Sequence, residues 1–187
     1  DIIIYGTGNT EQEAIESHDA AFTALMDRCR ENGLKLNEKK LNFKLDKVCY
    51  IGHILSRDGI SADPLKVKAI SEMPTPTDVA AVQRLLGVVT YLAKFLPQLS
   101  TIAEPLRRLT DKDSTFDWLP QHEHALTGIK ALITKAPILR YYDVNKEVTI
   151  ESDSSDVGLG AVITQEGHPI AYASRALSPA ERNYAQI

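Results

Sequence analysis

The chain has 187 residues, 43% of them hydrophobic and 25% charged, which suffices for one medium domain or two small ones. No apolar run approaches the roughly 20 residues of a bilayer-spanning helix, and no basic-then-apolar leader is present, so the expectation is a protein that neither spans a membrane nor is secreted. A net charge of −4 argues against a generic nucleic-acid coat, although between Arg28 and Lys47 seven basic residues (Arg28, Arg30, Lys35, Lys39, Lys40, Lys44, Lys47) face three acidic ones (Glu31, Glu38, Asp46). Such a patch can contact phosphates, and a solvated helix end accounts for it equally well.

The opening "DIIIYG" predicts a buried strand, Ile2 to Ile4, followed by a turn. Asp1 at its head is either a surface carboxylate of an edge strand or part of a site. Thr10 with Glu13 is a capping-box signature, and Ile15, His18, Phe22, Leu25, Met26 and Cys29 recur on one helical face that closes at Gly33. Cys29 and Cys49 lack close-spaced Cys or His partners, so both are expected as reduced core residues in a reducing setting.

The stretch "KVCYIGHILSRDGI" alternates in strand fashion, with "SRDG" as a hairpin turn and Gly59 at its positive-φ position. Gly52 is expected to let another backbone approach. This ribbon, with Tyr50 and His53 beside Lys39, Lys40 and Lys44, is a plausible support for a phosphate or base; core packing is an equal rival for Tyr50. Asp63-Pro64 caps a helix. After "PTPTD" a second helix is expected from Val79 to Phe95 with Val82, Leu85, Leu86, Val89 and Leu92 inward, then a shorter one around Ile102 to Leu109.

A further helix carries Leu126, Ile129, Leu132 and Ile133 and stops at Pro137. His122-Glu123-His124 does not predict a metal site, because helical neighbours at i and i+2 point to different sides. Three strands follow, Val148 to Asp153, Leu159 to Thr164 and Ile170 to Ser174, with Val148 and Ile150 expected toward the core and Thr149, Glu151 and Asp153 on the other face. Asp153 is a candidate catalytic carboxylate at a strand end, with a turn-capping role as its even rival. A seam is expected near residues 137 to 146.

Taken together, these segments resemble, in collinear order, the Pol polyprotein of gypsy-type LTR retrotransposons. "DIIIYG" looks like the second half of the reverse-transcriptase Tyr-x-Asp-Asp hairpin, "YIGHIL" the primer grip, "RLLGVVTYLAKFLPQLSTIAEPLRRL" the thumb, "FDWLPQHEHALTGIKALITKAPIL" the connection, and "TIESDSSDVGLGAVITQEGHPIAYASRALSPAERNYAQI" the start of ribonuclease H. Leu41, Thr90 and Ala93 depart from the family pattern, and Ala93 weakens a grip of that helix on a template backbone.

The resemblance implies an α+β fold: residues 1–61 as the C-terminal part of the reverse-transcriptase palm with the primer-grip hairpin, 62–140 as helical thumb and connection, and 141–187 as the first strands of an RNase H-like domain. It implies an RNA-directed DNA polymerase with ribonuclease H in the parent, acting by two-metal phosphoryl transfer. Asp1 and Asp153 would each be one catalytic, metal-binding carboxylate for Mg²⁺ (or Mn²⁺). Tyr50, Gly52, His53, Lys39, Lys40 and Lys44 would contact nucleic acid. The implied partners are an RNA–DNA hybrid or primer–template, with dNTP in the full-length parent and no membrane, in an intracellular setting, either a cytoplasmic element particle or the nucleus. With one carboxylate of each site present, the isolated chain is expected to be inactive. A domesticated, non-catalytic remnant that binds nucleic acid or a protein is the alternative.

Overall fold

In the computed structural model the described residues are 1–112 and 114–184; residue 113 and the last residues of the ribonuclease H-like stretch, 185–187, lie outside them. The chain divides into two compact units, Asp1–Ile51 and Gly52–Ile187.

The first unit is organised by one helix, α1 (Glu11–Glu31). Its start is fixed as the sequence predicts: Thr10 Oγ1 accepts the Glu13 N–H, and the Glu13 carboxylate accepts the backbone N–H groups of Asn9 (2.7 Å) and Thr10. Both interactions satisfy donors that a helix terminus leaves open. The expected apolar face is real but thinly covered. Cys29 is buried, whereas Ile15 is exposed. His18 and Phe22 pack against Phe43, with ring centroids 5.5 and 5.0 Å apart, and Lys44 Nζ pairs with Asp19 at 2.8 Å on the same side of the helix.

Two expectations fail in this unit. Ile2 to Ile4 form no strand, and Ile2 and Tyr5 are exposed. A β-branched run favours extended backbone, but a strand exists only when another strand takes up its hydrogen bonds, and none does so here. Cys49 lies in β1 (Lys47–Tyr50) and is exposed, not core; the alternation of a strand puts every second residue outward.

The second unit holds an extensive core. Hairpin strands β2 (His53–Ser56) and β3 (Gly59–Ala62) pair antiparallel, with Ser56 opposite Gly59. The continuous strand expected through Gly52 is instead broken: Ile51 and Gly52 have φ of 45° and 67°, a turn conformation. Gly59 (φ 134°) is required twice over, because a Cβ there would also collide with the Leu139 carbonyl. That approach is productive: Ile60 and Leu139 exchange N–H···O bonds of 2.8 Å each way.

Helix α2 (Pro64–Ser71) starts on the Asp63 carboxylate, which accepts the Leu65 N–H. Helix α3 (Val79–Tyr91) is capped by Asp78 and buries Val82, Leu85 and Val89; it ends at Tyr91, and a 3₁₀ turn carries the chain to Phe95. The short helices α4 (Leu99–Ile102) and α5 (Glu104–Arg108) lead to α6 (Pro120–Thr134). Side chains of α2, α3, α5 and α6, with Leu92, Phe95, Leu96 and Leu139, make one contiguous apolar cluster. Glu104, buried at the edge of this cluster, is satisfied by Arg108 and by Arg182 Nη1 at 3.1 Å, which is what a buried carboxylate needs.

His122 and Glu123 cap and brace α6. The Leu119 N–H donates to His122 Nδ1 (2.9 Å), and Trp118 Nε1 donates to Glu123 (3.0 Å).

The second sheet runs β4 (Thr149–Ser154), β5 (Gly158–Gln165), β6 (His168–Ala176), all antiparallel. Val148 and Ile150 do not face a core. Every residue of β4 is exposed, Ile150 at 68%. Alternation assigns residues to two faces, but burial requires a layer against each face; α4 packs near β5 and β6, and among the described residues β4 is left exposed at the sheet edge.

Near the end of β6, Arg175 grips Glu181 with both terminal nitrogens (2.8 and 2.9 Å). That guanidinium, then the Ser178 N–H and hydroxyl, hold the Glu181 carboxyl down at about 2. A depressed folded-state value stabilises fully above the ordinary carboxylate range and is lost as pH falls toward about 2. Wild type should therefore exceed Glu181→Gln in melting temperature by a constant margin near neutrality, and the margin should vanish on descent through that acid window. Melting curves that stay parallel at every pH would reject this.

Candidate nucleic-acid interface

At the start of the second unit, the Gly52 turn and β2 bring a histidine against the end of α3. The His53 and Tyr91 rings are stacked, centroids 5.0 Å apart and 11° from parallel. Phe95 meets His53 edge-on at 5.4 Å. Lys66, from α2, places Nζ 4.2 Å from the Tyr91 ring centroid, and Lys94 places Nζ 5.2 Å from that of Phe95. These are cation–π distances, in which the ring holds an ammonium without neutralising it.

Gly52 is closed in by this cluster. A Cβ there would stand 2.5 Å from Lys66 Nζ and 2.5 Å from Tyr91 Oη. Its positive φ of 67° is what requires glycine, and the atoms that approach it are side-chain tips, not the neighbouring backbone that the sequence suggested.

The electrostatics are uncompensated. Among the described residues no carboxylate pairs with Lys66 or Lys94. Burial pulls the Lys94 ammonium below the ordinary lysine value. His53 is pulled below the ordinary histidine value by burial first, then by Lys94 and Lys66, so the ring is neutral near pH 7. Its Nδ1 is buried without a hydrogen-bond partner, an unusual state that costs free energy. Two half-sheltered ammonium groups beside a neutral aromatic pair are suited to an anion carried on a flat, stacking molecule.

The remaining sequence candidates divide between the two units. Tyr50, Lys39, Lys40 and Lys44 belong to the first, where Tyr50 is half-buried and Lys44 is committed to Asp19. Lys39 and Lys40 sit exposed on a 3₁₀ turn capped by Asn37. Arg28 and Arg30 of the basic run are tied to Glu31 and Asp27. Lys66, Tyr91 and Lys94 carry no local sequence signal of this cluster, because they come from separate elements that only the fold brings together.

Asp1 is exposed in the first unit. Asp153 is exposed near the end of β4, opposite Gly160, and its Oδ1 accepts the Ser154 N–H at 2.9 Å. No group of three or more His, Cys, Asp or Glu able to hold a metal exists among the described residues. The carboxylates present thus do not by themselves fit a two-metal site, which needs several converging oxygens. No helix among the described residues is long and apolar enough to cross a membrane.

A family model described as the RNase H-like domain found in reverse transcriptase matches residues 118–187. Over the whole chain, 38% of residues are identical to a stretch of the retrovirus-related Pol polyprotein from transposon 297 of Drosophila melanogaster. The Tf2-3 polyprotein of Schizosaccharomyces pombe is 29% identical over 99% of the chain. The relatives of the chain are transposon polyproteins. This Pol segment spans 17% of the length of the transposon 297 polyprotein and 14% of Tf2-3. Its fold is that of a foamy viral protease-reverse transcriptase solved with RNA/DNA hybrid (TM-score 0.81, 21% identity, 96% of the Pol segment and 24% of that chain). The same viral protein in a dRH form with double-stranded DNA superposes equally well, over 92% of the Pol segment and 31% of that chain. The fold is α+β with an RNase H-like part.

Proposed function

We propose that this Pol segment is the part of a retrotransposon reverse transcriptase that holds the primer–template between the polymerase and ribonuclease H centres. In this reading residues 1–61 end the palm, 62–140 form thumb and connection, and 141–187 begin the ribonuclease H domain. Asp1 and Asp153 each give one carboxylate to the parent's sites for Mg²⁺ or Mn²⁺. The parent polymerises dNTPs on an RNA or DNA template and cuts the RNA of the hybrid. The setting is intracellular.

The observation that carries the proposal is the His53–Tyr91 stack flanked by Lys66 and Lys94 at the Gly52 turn. Unpaired ammonium groups there gain a charge-assisted contact when a phosphate arrives. The solved relative with RNA/DNA hybrid supports the same class of ligand.

His53 reports on it directly. An incoming phosphate offsets the two lysines that oppose ring protonation, so the His53 pKa should rise when an RNA–DNA hybrid is added. NMR titration of the imidazole Cε1–H, assigned with His53→Gln, measures this. A titration curve unmoved by saturating hybrid would refute a phosphate at this place.

A further inference from the structure

Asp153, Gly160 and Ser174 stand opposite one another across β4, β5 and β6, so they share one face of the sheet. Helix α4 lies against that row. The Ser100 N–H donates to Ser174 Oγ at 3.1 Å, its hydroxyl donates to the same oxygen at 3.0 Å, and Ser100 is 1% exposed. A Cβ on Gly160 would stand 3.9 Å from Gln98 Cγ. On the other side of Asp153, Thr101 Oγ1 is 3.4 Å from Ser155 Oγ, which accepts the Gly158 N–H at 3.1 Å.

Helix α5 closes the same end of the sheet through Glu104. Arg182 Nη1 donates to its carboxylate at 3.1 Å, while Arg182 Nε donates to the Leu177 carbonyl at 3.3 Å. The Leu177 N–H in turn donates to the Val157 carbonyl at 2.9 Å, and the Ser155 N–H to the Gly158 carbonyl at 2.8 Å. Glu104 is 8% exposed and also accepts from Arg108 of its own helix. Were Arg182 removed, Arg108 would still cover the buried charge, so what is lost is the tie to the sheet and not the compensation that the fold requires. These contacts all cross the seam expected near residues 137 to 146.

We propose that α4 and α5 form a clamp that positions Asp153. Ser100, by holding Ser174, and Glu104, by holding Arg182, fix the carboxylate-bearing end of the sheet to the helical layer. A catalytic carboxylate needs such outer support to keep its place, and here the supporting side chains lie outside the nuclease segment, on the thumb side. The purpose of the clamp rests on the assignment of Asp153 proposed above; its geometry does not.

Native-state amide exchange followed by NMR on the 187-residue chain reads the clamp without nucleic acid or metal. Arg182→Ala should speed exchange of the Ser155 and Leu177 amides about tenfold or more, while amides of α3 and α6 stay within about twofold. Ser155 is the decisive reporter, because Arg182 reaches it only through the clamp. Ser174→Ala should speed the same two amides about fivefold or more. Arg182→Lys, which keeps one donor for Glu104, should restore about half or more of the lost protection. Acceleration spread evenly over sheet and helices would make Arg182 a general stabiliser and overturn the proposal. Unchanged exchange at Ser155 in either alanine variant, or a lysine that restores nothing, would overturn it too. Such a result would leave the hybrid interface standing, and loss of hybrid binding would leave the clamp standing.

Discussion

Lys66→Ala combined with Lys94→Ala lowers the affinity of the chain for an RNA–DNA hybrid by about tenfold or more, and reduces the slope of log affinity against log salt by about 0.9, for the one phosphate the two lysines share. The slope follows from counterion release, about 0.9 per phosphate neutralised on a duplex. The size of the loss follows from position. Each ammonium rests on an aromatic ring, 4.2 Å from Tyr91 and 5.2 Å from Phe95, and neither is paid in advance by a carboxylate. A lysine already paired, such as Lys44 with Asp19, must break that pair before it can take a phosphate, so Lys44→Ala changes affinity less. Filter binding at several salt concentrations separates the two. An unchanged slope in the Lys66 and Lys94 variant, with its circular dichroism intact, would remove these residues from the interface.

Phe95→Ala destabilises the second unit by about 3–5 kcal/mol, the usual cost of emptying a fully buried aromatic position. Phe95 has no exposed surface, lies in the cluster with Leu92, Leu96 and Leu106, and supports the His53 ring edge-on at 5.4 Å. Core stability and interface geometry thus share one side chain. Phe95→Leu keeps much of the volume and should cost less in urea unfolding, yet still weaken hybrid binding because the His53 ring loses its edge contact. Equal urea midpoints for wild type and Phe95→Ala would show that the position is not packed as described. Hybrid affinity unchanged in Phe95→Leu would uncouple the core from the interface.

Local chemistry was legible in the sequence wherever it closes within a few residues. The Thr10–Glu13 capping box, the Asp63-Pro64 helix start, the positive φ of Gly59 and the inward period of Val82, Leu85 and Val89 all stand as the sequence predicts. Each depends on backbone groups or side chains one turn apart, so neighbours in sequence decide it. The likeness to Pol polyproteins was legible for a related reason: it is carried by ordered motifs, whatever surrounds them.

The interface was legible only in part. His53 and Gly52 could be named, but Lys66 and Tyr91 come from two further helices, and nothing in their local pattern marks them. Only the packing of α2 and α3 against the Gly52 turn brings them to one place. The same dependence explains the failures. Ile2 to Ile4, Cys49 and Ile150 have the composition of buried strands, yet a strand needs a partner for its hydrogen bonds and a layer over its face, and both are supplied by other parts of the fold. The sequence alone therefore determined the caps, the turns, the helical core period and the family. Tertiary structure decided which apolar residues are covered and which cations stand unpaired beside an aromatic face, because burial and electrostatic compensation are set by neighbours distant in the chain.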